Sequence, residues 1–299
     1  MSFQCRKVAA ILLALMATPL LRAASAHTWV GGNGNDSNAG TQTSPYATFA
    51  TAVNNTTPGG LISVATAGDF GAVTITKSVT IDGGGIGGTI TFTGGDGLYV
   101  NAGTSDTVIV RHLTINGLGV GSDAIFLGTA LNFVIEDCLL VGFTQIGIGL
   151  GSISAANVVI KNTTIVGGTL GVRTFQSNGG ASLDVVELRN VTITGASQVA
   201  VFSRNGVMDI SDSVLTQSLV GVEADTSAYI NVTNSVISFN ATDEQAFGAT
   251  IYVDNNNTLF ANNGLGGAGG GPQFVTRGHT VKSSSATPVP PDKPRPHHQ

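Results

Sequence analysis

The chain has few cysteines, few charged residues and few aromatic residues. Of its 299 residues, two are cysteine, 10% are charged and 6% are aromatic. Cys5 lies in a predicted leader, so Cys138 has no partner for an internal disulfide. We expect Cys138 to be a small buried core residue, not a catalytic thiol. A net charge of -5 without a basic stripe argues against nucleic acid as a partner.

Long apolar runs are absent after the N-terminus. Arg6 and Lys7 precede an apolar run from Val8 to Leu21, and residues 24–26 (ASA) are the small residues that signal peptidase accepts. The run is too short for a convincing membrane span, and no later segment is long and apolar enough to anchor the chain. The sequence therefore predicts a signal peptide at residues 1–26 and a secreted or periplasmic protein without a transmembrane segment.

What the sequence does contain is glycine, 41 residues in all, and a repeated eight-residue phrase. The phrase returns every 21 to 28 positions: VIVRHLTI from Val108, FVIEDCLL from Phe133, VVIKNTTI from Val158, VELRNVTI from Val186, MDISDSVL from Met208, INVTNSVI from Ile230 and IYVDNNNT from Ile251. A period of this size on a strand-like phrase is typical of a solenoid in which each repeat is one structural unit.

Each phrase predicts two short strands joined by a bend. Apolar and polar positions alternate within it, which indicates strands with one buried face. The bend falls at the fifth position, occupied by His112, Asp137, Asn162, Asn190, Asp212, Asn234 and Asn255. Asn and Asp tolerate the left-handed backbone of a sharp corner, and stacked side chains can hydrogen-bond along the stack.

A third strand follows most phrases. It is indicated at residues 124–126, 171–173, 200–202 and 221–223. Three strands and three corners in each repeat make one coil of a parallel β-helix, with coils about 4.8 Å apart. We predict an all-β, right-handed parallel β-helix of eight to nine coils.

In coil length, three-strand layout and Asn/Asp corner, the chain resembles the secreted bacterial right-handed parallel β-helix proteins of the pectate-lyase-like superfamily. Residues 32–41 (GNGNDSNAGT) and 44–48 (SPYAT) resemble the opening of many such proteins. The resemblance covers residues from about 28 to 263. It implies the fold and a polysaccharide or cell-surface glycan as partner. It does not choose among the lyases, hydrolases, epimerases and non-catalytic surface proteins of the superfamily.

The remaining segments are predicted to be a cap and a tail. Residues 27–60 hold a capping helix that starts at Ser44 and Pro45, with apolar residues at Tyr46, Phe49, Ala50 and Val53, and that ends at residues 58–60 (PGG). Residues 61–263 form the β-helix. Residues 264–299 form a Gly-rich and then Ser/Pro-rich disordered tail.

A substrate-binding strip is predicted on the third strands. The residue after each inward Val or Ile faces outward, which selects Phe126, Arg173, Phe202 and Glu223. Aromatic rings stack on sugar faces, and charged groups bond hydroxyls or carboxylates of a glycan. In the alternative interpretation, the two Phe side chains pack under neighbouring corners and the charged pair lies in solvent.

Whether the protein is an enzyme stays open at this point. The weak catalytic candidates are Arg173, Glu223 and Asp225. A hydrolase needs two carboxyl groups about 5 to 9.5 Å apart, and Glu223 and Asp225 share a coil. A polysaccharide lyase needs a base and usually calcium. Asp123 lies about four coils, roughly 19 Å, from the other two carboxyls, so no calcium cage is evident.

We therefore predict no cofactor or metal, with calcium possible only for a lyase. The paired-aspartate motifs of the polygalacturonases and the Arg-containing motif of the pectate lyases are absent where the resemblance would put them. The predicted function is binding or modifying extracellular polysaccharide. A polysaccharide lyase or glycoside hydrolase is the alternative.

Two further sets of stacked positions have structural interpretations. The fourth positions of the phrases, including Arg111, Glu136 and Lys161, predict an exposed charge ladder, and His112 is a corner residue, not a ligand. The seventh positions form a flat face of small residues: Thr114, Leu139, Thr164, Thr192, Val214 and Val236. That face leaves an adhesion or structural surface protein as a third possibility.

Overall fold

The computed structural model describes residues 24–151, 155–175, 184–254, 257–261, 266–267, 273–277 and 281–284. Most of the predicted signal peptide lies outside these ranges. Within them the chain forms one helix, α1 (Phe49–Asn55), and thirty strands. In chain order the strands are β1 (Ser25–Gly31), β2 (Thr56–Thr66), β3 (Gly68–Asp69), β4 (Val73–Ile75), β5 (Val79–Asp82), β6 (Gly88–Thr91), β7 (Leu98–Asn101), β8 (Thr107–Arg111), β9 (Leu113–Gly121), β10 (Ile125–Thr129), β11 (Asn132–Glu136), β12 (Leu139–Phe143), β13 (Ile146–Leu150), β14 (Asn157–Lys161), β15 (Thr164–Val166), β16 (Leu170–Phe175), β17 (Val185–Arg189), β18 (Thr192–Thr194), β19 (Val199–Arg204), β20 (Val207–Ser211), β21 (Val214–Thr216), β22 (Val220–Asp225), β23 (Tyr229–Thr233), β24 (Val236–Asn240), β25 (Thr242–Phe247), β26 (Thr250–Asp254), β27 (Thr258–Ala261), β28 (Gly266–Gly267), β29 (Gln273–Arg277) and β30 (Val281–Ser284).

These strands build three parallel sheets, which confirms the predicted parallel β-helix. Sheet A has the order β1-β2-β5-β8-β11-β14-β17-β20-β23-β26-β29, sheet B the order β3-β6-β9-β12-β15-β18-β21-β24-β27-β30, and sheet C the order β4-β7-β10-β13-β16-β19-β22-β25-β28. The chain visits A, B and C in turn, so each round is one coil. With eleven, ten and nine strands, the stack differs slightly from the predicted eight to nine coils.

Part of the difference lies at the C-terminal end. Strands β28, β29 and β30 continue the three sheets after residue 263, where we placed the start of the tail. The Ser/Pro-rich segment beyond residue 284 lies outside the described residues.

The corner between sheets A and B uses the predicted residues. Six of them have the left-handed backbone, with φ between 46° and 57°: His112, Asp137, Asn162, Asn190, Asp212 and Asn234. The Nδ2 of Asn190 donates a hydrogen bond to Oδ1 of Asn162 at 2.9 Å, and Asn234 donates likewise to Asp212. The corner and its ladder are confirmed, while Asn255 lies outside the described residues.

The core is a set of aliphatic columns running through the stack. Sheet B contributes Ile90, Ile115, Leu140, Ile165, Ile193, Leu215 and Ile237, all fully buried. Cys138 is 4% exposed, and burial raises the pKa of its thiol to about 12. The prediction of a core cysteine is therefore confirmed.

The cap differs from the prediction at its start. Helix α1 begins at Phe49, with Thr48 as the N-cap that accepts a hydrogen bond from the backbone of Thr51. Tyr46 is extended instead, and its backbone N–H donates to Trp29 at 2.9 Å. Asp36 accepts hydrogen bonds from the backbone of Thr48 and from its hydroxyl. Bonds to distant residues thus hold the predicted first turn in an extended conformation.

The buried face and the end of the helix also differ. Phe49 and Val53 are buried as predicted, but Ala52 is buried in place of the exposed Ala50. The helix ends at Asn55, and residues 58–60 (PGG) lie inside β2. An unpredicted strand, β1, pairs with β2 and forms the edge of sheet A. Across the described ranges, we find no helix with the length and apolar character that crossing a membrane requires.

Candidate functional site

Sheet C brings the predicted strip together. Register pairs the outward residues of successive coils in one column: Tyr99, Phe126, Gly149, Arg173, Phe202, Glu223 and Gln245. Between them, Ile125, Val172 and Val201 point into the core and are fully buried. We use the name sheet C strip for this column together with the outward column beside it, which consists of Phe175, Arg204, Asp225 and Phe247.

Three members of this column, Tyr99, Gly149 and Gln245, were not selected from the sequence, and the coil of Gly149 lies inside the predicted strip. Strand β13 separates the coil of Phe126 from that of Arg173 and places Gly149 between them. Gly149 has no side chain, and the ring of Phe126 packs against it: a Cβ atom at this position would lie 3.0 Å from that ring. The missed signal was the alternating segment 146–150 (IGIGL), which has the same spacing as the other third strands.

A neighbouring outward column lies two residues further along the same strands. It consists of Phe175, Arg204, Asp225 and Phe247. The alternation of a strand predicts these positions, but only Asp225 was selected from the sequence. The cation Arg204 and the ring of Phe175 are the main additions that the structure makes to the strip.

Arg173 lies between two depressions on the strip. One, of about 150 Å³, is lined by Phe126, Gly149 and Gly151 among others. The other, of about 260 Å³, is lined by Phe202, Glu223 and neighbouring residues. Arg173 lines both, and so does Phe175. Each depression therefore joins an aromatic wall to a guanidinium group.

The cations of the strip stack on its aromatic rings. The guanidinium carbon of Arg173 is 4.6 Å from the ring centroid of Phe175, and that of Arg204 is 5.2 Å from the same ring. Burial lowers the pKa of Arg173, and Asp123 partly opposes this effect. In the part of the chain that the structure describes, no carboxylate lies within ion-pair distance of Arg173.

Arg204 differs, since it pairs with Asp225. Its Nε donates to Oδ2 of Asp225 at 2.7 Å, and its Nη2 bonds the same oxygen. Burial alone would raise the pKa of Asp225, but hydrogen bonds from Arg204 and Thr226 outweigh burial and lower it. Burial, together with the charge of Asp225, raises the pKa of Glu223. Two adjacent carboxyls on one strand are thus shifted in opposite directions.

Asp123 lies at the corner before β10, away from these two carboxyls. It is 7% exposed and accepts a hydrogen bond from the backbone of Ile146 at 3.1 Å. Burial raises its pKa, and so does the charge of Asp96. Among the described residues, no three His, Cys, Asp or Glu side chains come together as a group that could hold a metal ion.

The stacked charges on sheet A follow the predicted register but pair differently. Arg111 aligns with Glu136, and Glu136 with Lys161. The ion pair of Arg111 is nevertheless with Asp82 of the preceding coil, at 2.8 Å. Asp82 also bonds Nδ1 of His112 at 2.9 Å, so the corner histidine is tied to this pair.

The flat face on sheet B also has the predicted register. Thr164, Thr192, Val214 and Val236 stack in one column, with Leu139 beside Thr164. The outward positions of β6 to β24 in this sheet, all of them in described strands, carry no charged residue. Adhesion through this face stays a prediction.

Comparison with solved structures supports the fold. The chain is similar to the crystal structure of pectate lyase Pel9A, with a TM-score of 0.62 and 13% sequence identity over 82% of this chain and 79% of that chain. No family model matches the sequence, and no curated protein matches it. At this identity the similarity shows the fold alone, a parallel β-helix as the repeat predicts.

Proposed function

We propose that the protein is exported and binds a carboxylate-bearing polysaccharide along the sheet C strip. One observation carries the proposal: the guanidinium of Arg173 has no carboxylate partner among the described residues and lies between two aromatic-walled depressions. Arginine binds carboxylates through two parallel hydrogen bonds, and Phe rings pack on the apolar faces of sugars.

The spacing of the strip suits a linear chain. Successive coils are about 4.8 Å apart, which is close to the length of one sugar unit in a 1,4-linked polysaccharide. From Tyr99 to Glu223 the column crosses five coil steps, or about 24 Å. Several sugars can therefore contact aromatic and charged groups at once.

Affinity electrophoresis in gels that contain polygalacturonate, alginate or neutral galactan tests this proposal. We expect retardation in the two acidic gels. Arg173→Ala should weaken it about 10-fold or more, because a hydrogen bond to a charged group contributes about 1.5–3 kcal/mol. Arg173→Lys should restore part of the binding, since lysine keeps the charge but loses the planar fork.

Matched controls lie on the other sheets. Arg189→Ala removes an exposed arginine from sheet A, and Phe239→Ala removes a 74% exposed ring from sheet B. Both variants should bind as the wild type does. The proposal fails if Arg173→Ala is retarded as strongly as the wild type, or if neutral galactan retards the protein equally.

A further inference from the structure

We infer that Glu223 and Asp225 form a pair of carboxyl groups that hydrolyses the polysaccharide held on the sheet C strip. The inference rests on the proposed function, because the bound chain is the substrate. It adds an activity that sequence motifs do not indicate.

Geometry places the two groups on one outward face. Both lie on β22, and the intervening Ala224 is fully buried. The Cα atoms of alternate residues on a parallel strand are about 6.6 Å apart. Side chains that leave the same face at this spacing can place their carboxyl groups about 6.5–9.5 Å apart, as in inverting glycosidases. Glu223 also lines the 260 Å³ depression with Arg173 and Phe202, so it faces the proposed sugar site.

Their environments assign different roles. Glu223 is half-buried beside the negative charge of Asp225, which favours its protonated form. Asp225 is held ionised by Arg204 and accepts a hydrogen bond from the hydroxyl of Thr226 at 2.9 Å. Both bonds from Arg204 go to Oδ2 of Asp225 and the bond from Thr226 goes to Oδ1, so Oδ1 keeps one acceptor site for a water molecule. Two carboxyls with divergent pKa values are what general acid and general base catalysis require.

The reaction balances without another reactant. Glu223 donates its proton to the glycosidic oxygen as the bond from that oxygen to the anomeric carbon breaks. Asp225 accepts a proton from the water whose oxygen forms the new bond to the anomeric carbon. The products are two shorter chains. Exchange with solvent then removes the proton from Asp225 and returns one to Glu223.

The test uses the full chain and the polysaccharides of the binding assay. Wild-type protein should release new reducing ends from polygalacturonate or alginate, whichever retards it in the gel. Glu223→Gln and Asp225→Asn should each lower the rate about 100-fold or more, while gel retardation remains. Glu187→Gln, which removes the charge of a carboxyl beside Arg189 on sheet A, should leave the rate unchanged.

Retained binding also shows that each variant is folded. A lower rate of hydrolysis in such a variant is therefore due to loss of the catalytic carboxyl group. Retardation of the wild type without new reducing ends would overturn hydrolysis and leave the binding proposal standing. Absence of retardation and of products would overturn both. Products with the absorbance of an unsaturated sugar would overturn hydrolysis as well, because they arise by elimination.

Discussion

Asp243 should make the stability of the C-terminal coils depend on pH. Asp243 is 2% exposed, and its neighbour Glu244 is 1% exposed. On sheet C, Glu244 follows Val201 and Val222 in an inward column that is aliphatic in the preceding coils. Burial raises the pKa of Asp243 to about 6, although a hydrogen bond from Asn240 at 3.2 Å opposes this rise. The folded coil therefore keeps the proton at pH values where an unfolded coil has lost it.

The sign and size of the effect follow from proton linkage. An unfolded aspartate has a pKa of about 3.9, so the contribution of Asp243 to the free energy of unfolding is fully present below about pH 4 and is lost as pH rises through about 6. The gap between the two pKa values corresponds to about 3 kcal/mol. Asp243→Asn keeps the shape without the charge. It should therefore be more stable than the wild type by up to about 3 kcal/mol at pH 7 and nearly equal to it at pH 4.

Hydrogen exchange of the segment Val236–Asp254, followed by mass spectrometry, measures this locally. Coils of a solenoid open segment by segment, so a global melting curve would dilute the effect. Asp209→Asn is the control, because Asp209 is exposed on sheet A and the substitution is the same. Equal pH dependence in the wild type and in Asp243→Asn would refute the reasoning.

Three shorter predictions concern the core and the corner. Ile193→Ala should lower the free energy of unfolding by about 2–5 kcal/mol in urea denaturation, because Ile193 is fully buried, whereas Thr192→Ala on the exposed side of the same strand should cost much less. Asn162→Val should cost about 1–3 kcal/mol in the same assay, since a β-branched residue must adopt φ of 47°, and Asn162→Gly should cost less. Cys138 should stay unmodified by thiol reagents in the native protein and react only after denaturation, because it is buried and its pKa is about 12. If the native protein were labelled as fast as an exposed thiol is, the place of Cys138 in the core would be contradicted.

The solenoid places chemistry in a way that a linear motif search misses. Arg204 and Asp225 are 21 positions apart in sequence, yet they lie on adjacent strands and form an ion pair. Glu223 and Phe202 are related in the same way. Functional groups on such a surface are therefore recognised down a column, where neighbouring coils bring them within contact.

Much of the fold could be predicted from the sequence, because a parallel β-helix depends on local patterns: the repeat period, the alternation of strands and the corner residues. The repeat period fixes the coil, and strand alternation separates inward Val172 from outward Arg173. Asn162 and Asn190 mark the corner because their side chains tolerate a left-handed backbone better than most others. The four predicted strip residues fell in one column for the same reason.

Tertiary structure decided what depends on partners distant in sequence. Asp36 and Trp29 hold the segment before Phe49 extended, so the helix starts later than its apolar spacing predicts. Arg111 pairs with Asp82, because the preceding coil supplies a carboxylate on the same column.

The strip shows the same division. Only the stacking of β13 between its neighbours places Gly149 against the ring of Phe126, and only register pairs Arg204 with Asp225. Local periodicity sets which way a side chain faces. The stacking of coils sets which groups it meets, and hence the charge and the shape of the site.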